Sequence, residues 1–236
     1  LSRPKTLDEL KEFIQQSRNY DPDFYPIALG TKDIRHRKEI ILSLMSLNQD
    51  YKLLTKFKDN IISALMIFTD FSNPQSDFYS YPQNAGDDLI NFANEKTAVY
   101  IGFYSDKREI LKISPRLNIT VDVYPLNVFP PRSKIYSKVY YLAQIKKSQS
   151  KAAPYFISWF YSYQLKKFTQ NLVPFKEEDL NPEKKIVFDS VKNFGETFDF
   201  FNKGILFDNI DRLLENYQDQ YELNKILNEL YYSLSL

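Results

Sequence analysis

The single histidine of this 236-residue chain, His36, stands in the run Arg35-His36-Arg37-Lys38. Such a run could grip a phosphate or sulfate, with His36 as a contributor that switches with pH. The simpler reading is a solvated helix face. A catalytic-triad role is disfavoured, because the flanking cations oppose the imidazolium that a general base must become. Carboxylates occur side by side at Asp87-Asp88 and as Glu177-Glu178-Asp179. Two carboxylates flanking a sugar bond, roughly 5–10 Å apart, perform glycoside hydrolysis. Both clusters also fall at the starts of helical patterns, where negative charge complements the helix dipole.

Other chemistries are excluded by composition. The five glycines are too dispersed for a phosphate-cradling loop, and no Gly-x-Ser-x-Gly elbow occurs. The absence of cysteine removes disulfides and thiolate chemistry, and one histidine cannot build a multi-imidazole metal site. No cofactor or metal is therefore expected. With 31 basic against 30 acidic residues there is no global pull toward nucleic acid, which leaves only a local patch at Arg35, His36, Arg37 and Lys38. No apolar run approaches the roughly 20 residues that span a bilayer.

Aromatic residues are the other candidate. Residues 97–168 hold half of the chain's 18 tyrosines and its only tryptophan. Lys134 to Lys147 alternates as a strand, with Tyr136 and Tyr140 on one face. Tyr155 to Leu165 fits a strand carrying Trp159, Tyr161 and Tyr163 on one face, or a helix clustering Phe156, Trp159, Phe160 and Tyr163. The strand is favoured, because aromatic and β-branched residues suit a pleat. Tyr136, Tyr140, Trp159, Tyr161 and Tyr163 together make a candidate contact surface for sugar, peptide or protein. The alternative is that helices and loops cover them.

These residues must be positioned by elements that the periodicities outline. Thr6-Leu7-Asp8-Glu9 is a capping box opening a helix that ends near Arg18. Helical spacing recurs from Ile34 to Leu47 and from Leu53 to Phe68, and Asp87 to Asn94 fits a short helix. Strands are expected at Thr97 to Tyr104, at Glu109 to Ile113 across a turn at Ser105-Asp106-Lys107-Arg108, and at Leu117 to Tyr124. In that last run apolar and polar residues alternate most cleanly. Asn181-Pro182 opens a helix whose apolar stripe runs to Phe201, with Gly204 as its C-terminal cap. The closing helix runs from Leu206 to Leu234 with a break. The expectation is a single α+β domain over 1–236: helical 6–94, an antiparallel meander sheet over about 97–168, and helical 176–234.

The texture of the whole chain is rich in Lys, Asn, Ile, Phe and Tyr, poor in Gly, Met and Trp, and closed by the helical run Glu222 to Leu230. In this style it resembles spirochaetal, specifically borrelial, surface lipoproteins. That resemblance implies an N-terminal lipid tether beyond a processed start at Leu1-Ser2, the outer membrane surface or periplasm, and a role in binding host protein or as an antigen. The functional expectation is thus a non-enzymatic, lipid-anchored binding domain. The alternatives are a glycosidase-like hydrolase with an aromatic-lined cleft and an intracellular or phage-encoded nucleic-acid-binding protein.

Overall fold

A computed structural model describes residues 7–21, 23–47, 53–121, 135–136, 155, 158–159, 182–196 and 203–234. Helices dominate. Helix α1 (Leu7–Tyr20) is followed by the short strand β1 (Tyr25–Ile27), α2 (Arg37–Met45), a 3-10 turn (Leu54–Lys56) and α3 (Phe57–Asp70). Next come α4 (Asp88–Ala93), β2 (Thr97–Val99), a second 3-10 turn (Tyr104–Asp106) and α5 (Lys107–Ile113). The chain continues with β3 (Ile135–Tyr136), α6 (Pro182–Phe194), β4 (Gly195–Glu196), α7 (Lys203–Glu215) and α8 (Gln220–Leu234).

The core follows from helical periodicity. Phe57, Ile61, Leu65 and Phe68 of α3 recur at the spacing that puts them on one face, and all are fully buried. Leu206, Ile210 and Leu213 of α7 and Leu223, Ile226, Leu227 and Leu230 of α8 do the same. Asp219 terminates the turn between these two helices, accepting the backbone N–H groups of Tyr221 and Glu222 at 3.0 and 3.1 Å. Helix α2 is apolar on most sides, with Ile40, Ile41, Leu42, Leu44 and Met45 buried, because helices pack around it. Leu10 and Ile14 of α1 and Ile27 of β1 complete one contiguous cluster that joins both ends of the chain. A second, small cluster of Leu89, Ala93 and Ile110 holds α4 against α5. No helix among the described residues is long and apolar enough to cross a membrane.

The loop between α3 and α4 is pinned to this core. Ser80 Oγ donates to the Ile27 carbonyl at 2.8 Å. Tyr81 is fully buried and donates its hydroxyl to the Gly86 carbonyl at 2.9 Å, while Asn91 Nδ2 donates to that hydroxyl at 2.7 Å. Gly30 sits at φ +98°, and a Cβ there would lie 2.6 Å from the Ser72 backbone nitrogen. Only glycine combines that dihedral with that approach.

The antiparallel meander expected over 97–168 is not what the chain builds. Its described strands form two separate pairs, β1 with β2 and β3 with β4, and both pairs are parallel. Glu109 to Ile113, expected as a strand, is helical. The Asp106 carboxylate accepts the Phe103 N–H at 3.0 Å, and Asp106 N–H donates to the Phe103 carbonyl at 2.9 Å. Those bonds close a 3-10 turn that leads directly into α5 where a hairpin turn was expected. Residues 117–121, the cleanest alternation, form no regular element and belong to no ladder. Leu117, Ile119 and Val121 are half-buried while Asn118 and Thr120 are exposed, and Leu117 and Ile119 pack on the small α4–α5 cluster. Alternation therefore sets which side is buried, not whether a strand partner is present.

Two further expectations change. Tyr155, Ser158 and Trp159 are helical, so the favoured strand does not hold at these three residues; the rest of Tyr155 to Leu165 lies outside the described residues. Helix α6 opens on Pro182 but ends at Phe194, and Gly204 lies inside α7 rather than capping a stripe through Phe201. Thr6 of the expected capping box and the cluster Glu177-Glu178-Asp179 lie outside the described residues.

Candidate functional site

The four residues singled out by charge do come together, with acids from distant parts of the chain. Arg35 Nη1 donates to Glu109 of α5 at 2.8 Å, and Arg35 Nη2 lies 3.5 Å from Asp87. His36 caps α2 with its carbonyl and donates from Nε2 to Asp106 Oδ2 at 2.7 Å. Arg37 Nε and Lys38 Nζ converge on Asp211 of α7, at 2.7 and 3.0 Å. Lys38 also lies over the Phe207 ring at 5.0 Å. Cations at a helix start oppose the macrodipole. The acids from α4, α5, the preceding 3-10 turn and α7 offset that, and in doing so tie those elements to α2.

Asp106 is the most densely bonded of these acids. Its Oδ2 accepts from His36, from the Tyr100 hydroxyl at 2.9 Å and from the Phe103 N–H at 3.0 Å. The His36 ring stands edge-on to Phe103 at 4.7 Å between centroids. Burial pushes the Asp106 carboxyl up, but the hydrogen bond and charge of His36, with the Tyr100 and Phe103 bonds, hold it below the ordinary carboxylate range. Asp211 is balanced the same way, burial being outweighed by Arg37 and Lys38. The Tyr100 hydroxyl is raised, first by burial and then by the Asp106 charge. Arg35 is raised by its hydrogen bond to Glu109.

Asp88 differs from the rest. It is fully buried, and its Oδ1 accepts the Arg35 backbone N–H at 3.2 Å. Its Oδ2 has no hydrogen-bond partner. Burial, reinforced by the neighbouring Asp87 charge, pushes this carboxyl up to about 6 against the backbone N–H groups of Arg35, Leu89 and Asp88, which lower it. Its neighbour Asp87 caps α4, accepting the Ile90 N–H at 2.9 Å.

A groove of about 370 Å³ lies nearby, lined by Phe24, Phe92, Glu95, Thr97, Ala98 and residues 117–120. Glu95 is the one carboxylate among those residues, whereas displacement at a sugar bond uses two. Among the described residues no group of three or more His, Asp or Glu side chains is arranged to hold a metal ion.

Of the aromatic candidates, Trp159 is 46% exposed, and Tyr155, one helical turn before it, is 78% exposed. Tyr136 lies in β3, paired with Glu196 of β4. Tyr140, Tyr161 and Tyr163 fall outside the described residues. The acids Asp106, Glu109 and Asp211 were not anticipated as partners of the basic run. The spacing of Asp106 and Glu109, three apart at a helix start, was the one signal that both could face the same neighbour.

No family model matches this chain, and no curated protein and no solved structure matches it either.

Proposed function

We propose that this chain is a non-enzymatic binding domain, carried outside the cytoplasm on a lipid tether, that engages a host protein. The observation that carries this reading is the solvent-facing pair Tyr155 and Trp159, four residues apart in helical conformation. A four-residue spacing places two side chains on the same helix face. Tyrosine and tryptophan join large apolar area to a polar handle, and tryptophan, tyrosine and arginine dominate the energetics of protein interfaces.

The arrangement of the polar groups supports the same reading. Arg35, His36, Arg37 and Lys38 are each engaged with an acid of the same chain. A phosphate ligand would have to displace those contacts before gaining its own. Asp87 and Asp106 are engaged as a helix cap and as a triple acceptor, which is the use expected of structural carboxylates. The placement outside the cytoplasm rests on the compositional resemblance to spirochaetal surface lipoproteins. The test is binding of the pure domain to an immobilised panel of host plasma and extracellular-matrix proteins. Saturable binding to at least one member is expected, and uniform absence of binding contradicts the reading.

A further inference from the structure

Asp88 Oδ2 is a carboxylate oxygen buried without a hydrogen-bond partner, on a residue that is itself fully buried. A buried carboxylate with one oxygen left unpartnered is disfavoured as an anion. The charges around it do not relieve it. Asp87, the N-cap of α4, adds its charge directly beside it, and Asp106 and Glu109, the acids that engage His36 and Arg35, belong to the same α4–α5 unit. Across the joint stand the Arg35 guanidinium and the His36 imidazole, each engaged with another acid, Glu109 and Asp106. Tyr81, from the loop before α4, and Tyr100, from the segment after β2, contribute hydroxyls but no positive charge. On α5, Lys107 is turned to Glu183 at 2.6 Å, and Arg108 and Lys112 are exposed. Strand β2 brings no titratable side chain.

The location gives this imbalance a consequence. All four carboxylates belong to the unit built on the small cluster of Leu89, Ala93 and Ile110, while Arg35 and His36 lead into α2 of the main core. Much of the polar joint between the two clusters therefore runs through these groups. We propose that Asp88 is a proton-binding site that tightens this joint, the proton from solvent bonding to Oδ2 and removing the unpartnered buried charge as the medium becomes mildly acidic. Burial raises the folded-state value to about 6 from the ordinary 3.8. A raised value means that the docked form gains as pH falls and that the gain is lost as pH rises through about 6.

The experiment is amide hydrogen exchange on the full chain at pH 7 and pH 5, corrected for intrinsic exchange rates. It is paired with a carbon-detected NMR titration of the aspartate carboxyls. The opening constant of amides in α4 and α5 should fall about tenfold between pH 7 and pH 5. Amides of α3 should not change in parallel, and the Asp88 carboxyl should titrate above the surface aspartates. Asp88→Asn should show the lower opening constant at both pH values. The proposal is overturned by an unchanged opening constant in α4 and α5, by an equal change in α3, or by an Asp88→Asn variant that keeps the wild-type pH dependence. Because the carboxyl titration needs no variant, co-titration of Asp88 with the surface aspartates overturns it even if Asp88→Asn does not fold.

Discussion

His36 Nε2 lies 2.7 Å from Asp106 Oδ2, across 70 residues of sequence, with both side chains largely shielded from solvent. This pair closes α2 onto the turn that starts α5. It converts the most chemically suggestive residue of the chain into a structural tie. Asp106→Ala leaves His36, the Tyr100 hydroxyl and the Phe103 N–H without their acceptor. The expected loss is about 3 kcal/mol of unfolding free energy, read from urea denaturation. Asp106→Asn keeps an acceptor oxygen and should lose less than half of that.

The pH dependence of stability should have two opposing limbs. Asp106 and Asp211 are depressed in the fold, so their contribution is present above the ordinary 3.8 and lost as pH falls below it. Asp88 is raised to about 6, so its effect favours the fold at low pH and is lost as pH rises from 3.8 through 6. That difference corresponds to about 3 kcal/mol at most. Thermal unfolding midpoints should therefore peak between about pH 4 and 6. Asp88→Asn should flatten the limb above the peak and leave the acid limb in place.

Gly30→Ala should destabilise the chain by about 2 kcal/mol or more, since alanine must accept φ +98° and its Cβ meets the Ser72 backbone nitrogen at 2.6 Å. Equilibrium denaturation measures it. Gly86, also at positive φ but with open space around its would-be Cβ, should show the smaller dihedral penalty alone.

Phe68→Ala removes a fully buried ring from the last turn of α3, and a loss of about 4 kcal/mol is expected. Tyr155→Ala, at 78% exposure, should change stability by about 0.5 kcal/mol or less. The contrast, measured by urea denaturation of both variants, separates the core from the proposed contact surface.

How far the sequence reached depends on which interactions decide each element. Spacing of Phe57, Ile61, Leu65 and Phe68 was sufficient for α3, because a helix makes its own backbone hydrogen bonds and needs only one apolar face. Asp87 as the start of α4 was legible for the same local reason. The strand reading failed at Leu117 to Val121 because a strand requires a partner, and alternation carries no information about one. It failed at Tyr155, Ser158 and Trp159 because aromatic residues fit both periods. The basic run at Arg35 to Lys38 was visible, but its partners Asp106, Glu109 and Asp211 lie between 70 and 174 residues away. Only the tertiary fold, which seats α7 against α2 and the start of α5 against Arg35 and His36, brings them within reach. Asp88 was legible as a helix-start acid and illegible as a buried one, since burial is a property of the assembled core.

Trp159 is the only tryptophan, so its fluorescence reports the proposed contact surface without a label. The decisive measurement is its emission during titration with a host protein that binds the pure domain. The account predicts the long-wavelength emission of a partly exposed indole in the free domain. Addition of the partner should then give a saturable blue shift, with affinity weakened at least about tenfold in the Tyr155→Ala, Trp159→Ala double variant. Binding that leaves Trp159 emission unchanged and is unaffected by the double variant would contradict it.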